Sequence, residues 1–276
     1  MCYNLKFKCT LIFLSLLLLS CEKVEYFEPQ EIAINKPIIL AHAATGYSTD
    51  IGNNTLEGAI YGLNILDGIE VDVAISKDGG LWITHDSKVK SLDKYFINVT
   101  DNDIAGITDG NNDPYYDKLE DVLKYMSDSA NDKTISLDIK YPFALFTNSI
   151  FSDAAIQISN MVLEYGLMGN VVVESNSVGF LTKVSKQEGE IGTYYICFGN
   201  YEKGIANAYQ NDLTGISFDY DKSDEIIGPK IELAHELGLR VLLYPINDDK
   251  INKVYPSNAD IIETDNMNFY DILETQ

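Results

Sequence analysis

The chain holds three histidines, and two of them stand at the ends of short apolar runs: His42 after Ile38-Ile39-Leu40-Ala41, and His85 after Leu81-Trp82-Ile83-Thr84. An imidazole takes or gives a proton close to neutral pH, so a histidine at a strand end is either an acid–base group or a hydrogen-bonded structural one. Between the two lies Glu70-Val71-Asp72, with carboxylates two residues apart. Side chains alternate along a strand, so both point to one face. Asp138 and Lys140 repeat that relation in Leu137-Asp138-Ile139-Lys140. The β-branched Ile69, Val71 and Val73 predict a covered strand rather than a solvated edge. Covered carboxylates repel one another and are disfavoured by desolvation. A dication removes both penalties, so convergence of Glu70, Asp72 and Asp138 points to a hard cation, Mg²⁺ or Ca²⁺, rather than zinc.

Such residues need a scaffold that brings separate strand ends together. Apolar runs predict strands over 38–42, 69–75, 134–140, 170–175, 191–197, 215–219, 239–245 and 259–264. Helix-period segments fall between them, including 54–66, 152–165 and 223–237. Asn54-Thr55 can cap the first, and glycines follow the other two at Gly166 and Gly238. This alternation predicts an α/β fold with a parallel sheet covered by helices. Leu81 to His85 would be a ninth strand, yet only Ser76-Lys77-Asp78-Gly79-Gly80 precedes it. A parallel crossover needs about a dozen residues or more, whereas a short glycine-containing connection makes an antiparallel hairpin. The expectation is therefore a (β/α)₈ TIM barrel with a hairpin arm after strand two, its catalytic groups at the C-terminal strand ends. A doubly wound sheet is the alternative, but no glycine-rich phosphate fingerprint follows any strand. Residues 95–117 lack periodicity and read as a surface loop. Asp109-Gly110-Asn111-Asn112-Asp113 approaches a calcium-loop pattern, but Pro114 occupies the position where that loop requires glycine.

The ends and the composition set the context. Lys6 and Lys8 followed by an apolar run from Leu11 to Leu19 predict a signal peptide over residues 1–20. Leu18-Leu19-Ser20-Cys21 resembles the bacterial lipobox, which makes Cys21 the expected lipidated N-terminus; an ordinary secretory signal is the alternative. Residues 21–36 read as a tether and 37–276 as a single barrel domain. The expected location is the bacterial cell envelope, lipid-anchored on its periplasmic or outer face, with the membrane as partner through the anchor. Cys2 and Cys9 leave with the signal, so Cys197 is the domain's one cysteine, placed in the core by its neighbours Tyr194 to Phe198. A formal net charge of −22 argues against nucleic acid, which requires a basic stripe. Trp82 is expected to pack the arm, and His235 to sit in solvent.

The stretch Ala41-His42, Asn54-Thr55, Gly68-Ile69-Glu70-Val71-Asp72-Val73, Lys77-Asp78-Gly79 and Thr84-His85-Asp86 resembles the glycerophosphodiester phosphodiesterases. The similarity extends through Leu119 to Leu123, Leu137 to Lys140, Val172 to Ser175, Gly238 to Val241 and Thr264-Asp265, in order. The resemblance implies that Glu70, Asp72 and Asp138 hold a divalent cation. It makes His42 and His85 the general base and general acid, in an order the sequence leaves open, and it places Lys140 at the substrate phosphate. Four departures stand out: Ala43 replaces an arginine, Asn53 a glutamate and Asp138 a glutamate, and Leu243-Tyr244-Pro245 stands where a tryptophan is common. A reshaped phosphate pocket is thus expected, for a small phosphodiester: a glycerophosphodiester, a related lipid head group or a phosphate-linked surface glycan. Release of a cyclic phosphate by internal attack would use the same groups. The rival readings are a surface lipoprotein that binds a ligand without turnover, favoured by Ala43 and Asn53, and a TIM-barrel glycosidase using Glu174, Asp219 and Glu263.

Overall fold

A computed structural model describes residues 36–47, 50–140, 147–222 and 227–274. The expected signal peptide, Cys21 and all of the tether but Lys36 lie outside these residues. The described strands are β1 (Ile38–Ala41), β2 (Gly68–Ile75), β3 (Leu81–Ile83), β4 (Lys88–Val89), β5 (Lys94–Tyr95), β6 (Asp117–Lys118), β7 (Thr134–Lys140), β8 (Val171–Ser175), β9 (Gly192–Cys197), β10 (Gly215–Asp219), β11 (Arg240–Ile246) and β12 (Ile261–Thr264). Eight of them, β1, β2 and β7 to β12, pair in parallel, each with its neighbour. Pairing of β12 with β1 closes the ring. This is the expected (β/α)₈ TIM barrel.

Strand alternation sorts the side chains by chemistry. Ile39, Ile69, Val71, Leu137, Val173, Ile216 and Leu243 face outward into the main core beneath the helices. The inward positions begin as a plug of Leu40, Val172, Tyr194, Leu242 and Ile261. The next inward steps toward the C-terminal ends are Glu70, Asp138, Glu174, Asp219 and Glu263; Glu174 and Glu263 follow Val172 and Ile261 of the plug, whereas Glu70, Asp138 and Asp219 follow the small residues Gly68, Ser136 and Ser217.

The arm forms because β2 outruns β1. Leu40 and Ala41 pair with Gly68 and Ile69, whereas Val73, Ala74 and Ile75 pair antiparallel with β3. The connection turns at Gly79, whose φ of +90° favours glycine. β6 extends the arm antiparallel to β3. Trp82, Phe96, Ile104 and Tyr116 give it a small core of its own, and the Trp82 indole N–H donates to Asp101 at 2.8 Å, so Trp82 packs the arm as expected.

Several expectations are corrected. Residues 95–117 are not all loop: Asp101–Ala105 is a helical turn whose N-terminus is capped by the Thr100 hydroxyl, accepting from Asp103 N–H at 3.2 Å. Five residues are too few for periodicity to reveal. The Asp109 carboxylate accepts the backbone N–H groups of Asn111 and Asp113, which ties it to its own turn. The helix expected from Ser152 begins at Asn148, capped by Thr147, and the start expected at Ser223 lies outside the described residues. His235 is not solvated: its Nε2 lies 3.0 Å from an Asp260 carboxylate oxygen that also accepts Val241 N–H, fastening helix Gly228–Glu236 to the loop before β12. Cys197 is buried as expected, and burial pushes its thiol up to about 11. Among the described residues, no helix is long and apolar enough to cross a membrane.

Candidate active site

Parallel pairing of β2 with β7 sets Asp72 directly beside Asp138, with Glu70 one inward step below. Ligand oxygens of the three lie within 4.8 Å of one another. Three carboxylates so close are unfavourable without a counter-charge, and an all-oxygen set fits a hard divalent cation. The surroundings aim these oxygens. Asn54 donates its side-chain N–H to Asp72 Oδ2 at 2.7 Å and accepts the Asp72 backbone N–H at 2.8 Å. Glu70 Oε2 accepts the Ala43 N–H at 2.7 Å.

That last contact holds a strained turn. Ala43 and Ala44 both have positive φ, +50° and +70°, at a cost of about 1–3 kcal/mol each for residues other than glycine. Helix Leu56–Ile65 clamps the turn through Gly62, where a Cβ would come within 2.1 Å of the Ala44 carbonyl oxygen. The turn projects His42 over the barrel mouth. His42 Nδ1 lies 2.7 Å from Asp265 Oδ1, and Nε2 lies 3.9 Å from Glu70 Oε2. The pairing of Ala41 with Thr264 explains the contact, since it makes the two following residues neighbours. With Nδ1–H donated to Asp265, Nε2 presents a lone pair to the site.

His85, exposed at the end of the arm, stands where two spaces meet. One is a cavity of about 330 Å³ in the barrel mouth, lined also by His42, Glu70 and Asp138. The other is an open groove of about 870 Å³ running between the arm and residues 109–117. Both spaces share Tyr47 and His85. Lys140 pairs with Ala74 through its strand, and its side chain lies outside the described residues.

The far wall of the cavity is acidic as well. Glu174, Asp219 and Glu263 are buried there, and the Ser136 hydroxyl donates to Glu174. Burial raises the Glu263 carboxyl well above its usual range, and the charges of Glu174 and Glu70 and a hydrogen bond to Glu174 raise it further. Burial likewise raises the Tyr244 phenol, reinforced by Glu174, Asp219, Asp138 and Glu263, so Tyr244 stays a neutral donor. The chain's single arginine, Arg240, begins β11 at the opposite end of the barrel. The mouth thus has no arginine to offer an anion, and a cation held by the acidic triad would supply positive charge there.

The sequence of residues 45–269 matches the Glycerophosphoryl diester phosphodiesterase family. The chain belongs to this family. As a family member it is a phosphoric diester hydrolase, and the acidic triad gives it a place for the metal ion on which such hydrolysis depends. Solved structures share the fold. A glycerophosphodiester phosphodiesterase from Parabacteroides distasonis is 16% identical with a TM-score of 0.72, aligning 87% of this chain and 97% of that one. One from Thermotoga maritima is 21% identical with a TM-score of 0.66, aligning 87% and 99%. An Oleispira antarctica phosphodiesterase, in complex with the product sn-glycerol-3-phosphate, is 16% identical with a TM-score of 0.71, aligning 86% and 97%. No curated protein matches the chain in sequence.

Two groups at the site had no role assigned from sequence: Asn54, which clamps Asp72, and Asp265, which holds His42. Both lie in stretches that resemble the family, Asn54-Thr55 and Thr264-Asp265, so order along the chain was the available sign. Asp265, 223 residues from His42, reaches it only through the pairing of β12 with β1, whereas Asn54 reaches Asp72, 18 residues on, from the connection between the neighbouring strands β1 and β2. Asn53, in place of a glutamate, accepts from the Thr45 hydroxyl and so braces the loop after β1.

Proposed function

We propose that the protein hydrolyses a small phosphodiester, a glycerophosphodiester or a related lipid head group or surface-glycan diester, with His42 as general base and His85 as general acid. The observation that carries this reading is the cluster of Glu70, Asp72 and Asp138, of which Glu70 and Asp138 line the same cavity as both histidines. Those three carboxylates would hold Mg²⁺ or Ca²⁺, which would stabilise the charge that develops on the phosphoryl oxygens. His42 Nε2, its ring fixed by Asp265, takes the proton of the attacking water as the new P–O bond forms. His85 gives its proton to the ester oxygen as the other P–O bond breaks, and the alcohol departs toward the groove. Lys140 adds positive charge at the phosphate. The products are a phosphomonoester and an alcohol.

Replacement of either histidine by alanine should cost about 10²–10⁴-fold in turnover at unchanged thermal stability. The two should differ by leaving group: a p-nitrophenolate ester needs little acid catalysis, so His85→Ala should lose far less on it than on an alkyl ester. His42→Ala should lose equally on both. The opposite pattern would reverse the two assignments. A glycosidase reading is disfavoured because Glu174 and Glu263 hydrogen-bond to each other, whereas glycosidase carboxyls stand about 5–9.5 Å apart across the scissile bond. The lipobox-like sequence supports a lipid anchor at Cys21 and a bacterial envelope location. Replacing Cys21 by serine in the full-length chain should release the protein from the membrane fraction.

A further inference from the structure

Three buried oxygens on the neighbouring strands β10, β11 and β12 have no hydrogen-bond partner: Ser217 Oγ, the Tyr244 hydroxyl and Glu263 Oε1. All three are turned toward the barrel axis. Tyr244 and Glu263 line the 330 Å³ cavity, and Ser217 stands one inward step below Asp219, which lines it too. Ser217 is fully buried, and Glu263 is 3% exposed. A buried polar atom left unmade is costly, and the great majority are satisfied. Three on adjacent strands mark a common guest.

Charge identifies that guest. Glu263 hydrogen-bonds to Glu174, which is also buried. Two carboxyls in contact require either a proton between them or a positive charge beside them. Among the described residues, six carboxylates line the cavity and neither lysine nor arginine does. A dication at Glu70, Asp72 and Asp138 falls short of its own three ligands in charge, so it leaves the Glu174–Glu263 pair uncompensated. Below them the barrel is closed by the plug of Leu40, Leu242 and Ile261, so an ion reaches the pair from the cavity. Carboxylate and hydroxyl oxygens, with no nitrogen or sulfur among them, form the donor set of a hard cation.

We propose that Glu174 and Glu263, completed by the hydroxyls of Ser217 and Tyr244, hold a second divalent cation inside the barrel, separate from the one at the triad. Ca²⁺ suits it better than Mg²⁺, because Ca²⁺ accepts an irregular oxygen shell whereas Mg²⁺ demands a near-ideal octahedron. The ion replaces the proton shared by the two carboxyls, and it reduces the negative charge that an anion meets in the mouth.

The test is a calorimetric titration with Ca²⁺ of the full-length protein after stripping with chelator. The wild type should bind two ions per chain. Asp72→Asn, which disables the triad, should retain one. Loss of a group that only orients a ligand weakens metal binding about 10–100-fold, so loss of the ligand charge in Glu263→Gln should weaken the second ion by more than about 100-fold. Ser217→Ala, which keeps both carboxylates, should weaken it about tenfold. Melting curves provide a second readout: Ca²⁺ should still raise the melting temperature of Asp72→Asn, and should leave that of the Asp72→Asn/Glu263→Gln double variant unchanged. A single ion in the wild type, or two ions bound undiminished in Glu263→Gln, would overturn the proposal and leave the three oxygens to trapped water. Turnover plays no part in these readouts, so the phosphodiesterase reading stands or falls separately.

Discussion

The inside of the barrel is filled in two ways along the same strands. At the N-terminal end Leu40, Val172, Leu242 and Ile261 form an apolar plug, and toward the C-terminal strand ends the inward positions carry Glu70, Asp138, Glu174 and Glu263. The plug, Glu70, Glu174 and Glu263 are almost fully excluded from water, and Asp138 is half-buried. Burial contributes favourably to the lower layer, at roughly 25 cal/mol per Å² of apolar surface, and disfavours every charge in the upper one. Stability and chemistry are thus separated by a few ångströms of strand, and the upper layer is tolerable because the lower one and the helical shell hold the strand ends in place.

The sharpest way to break this contrast is to alter one residue in each layer. Asp72→Asn should reduce kcat/KM on the order of 10³-fold with little loss of fold, measured by steady-state kinetics beside a melting curve. Leu242→Ala should do the reverse: a loss of about 2–5 kcal/mol of stability, seen as a lower denaturant midpoint, with near-normal activity in the molecules that remain folded. If Leu242→Ala impaired turnover as strongly as Asp72→Asn, the layers would not be functionally distinct.

Smaller effects sharpen the picture. Asn54→Ala frees the Asp72 carboxylate from its clamp and should weaken cation affinity about 10–100-fold in a calorimetric titration. Glu263→Gln should raise the melting temperature of metal-free protein by about 2–4 °C at neutral pH. The sign follows from the raised carboxyl. Folding opposes ionisation of Glu263, so the wild type loses stability as pH rises above its usual value of 4.5 toward the folded-state value. The advantage of glutamine should therefore disappear below about pH 4.5 and grow as pH increases.

How much of this was legible beforehand depends on the range of the interaction. The eight barrel strands and the antiparallel arm followed from apolar runs and from the five-residue connection before Leu81, because both are local patterns. The alternation that turns Glu70, Asp72 and Asp138 inward is also local, and so the metal cluster was accessible. The helical turn Asp101–Ala105 was not, being shorter than the periodicity that would announce it. His235 was misplaced because its partner Asp260 lies across a helix–strand connection, and nothing in Ala234-His235-Glu236 distinguishes a bonded imidazole from a solvated one. Asp265 acts through a contact that exists only once the ring closes, and Asn54 through one set by the folded path of the loop between β1 and β2. That Tyr244 and Glu263 share a cavity with Glu70 and Asp138 is a property of the folded barrel alone.

The most direct measurement is phosphodiester turnover by the full-length protein stripped with chelator and then titrated with Mg²⁺ or Ca²⁺, with Asp72→Asn in parallel. A cavity with six carboxylates on its lining and no arginine leaves a phosphate dependent on the cation. Turnover should vanish in chelator, return on adding the cation, and fail to return in Asp72→Asn. Turnover that persists undiminished in chelator, or that recovers fully in Asp72→Asn, would contradict the account.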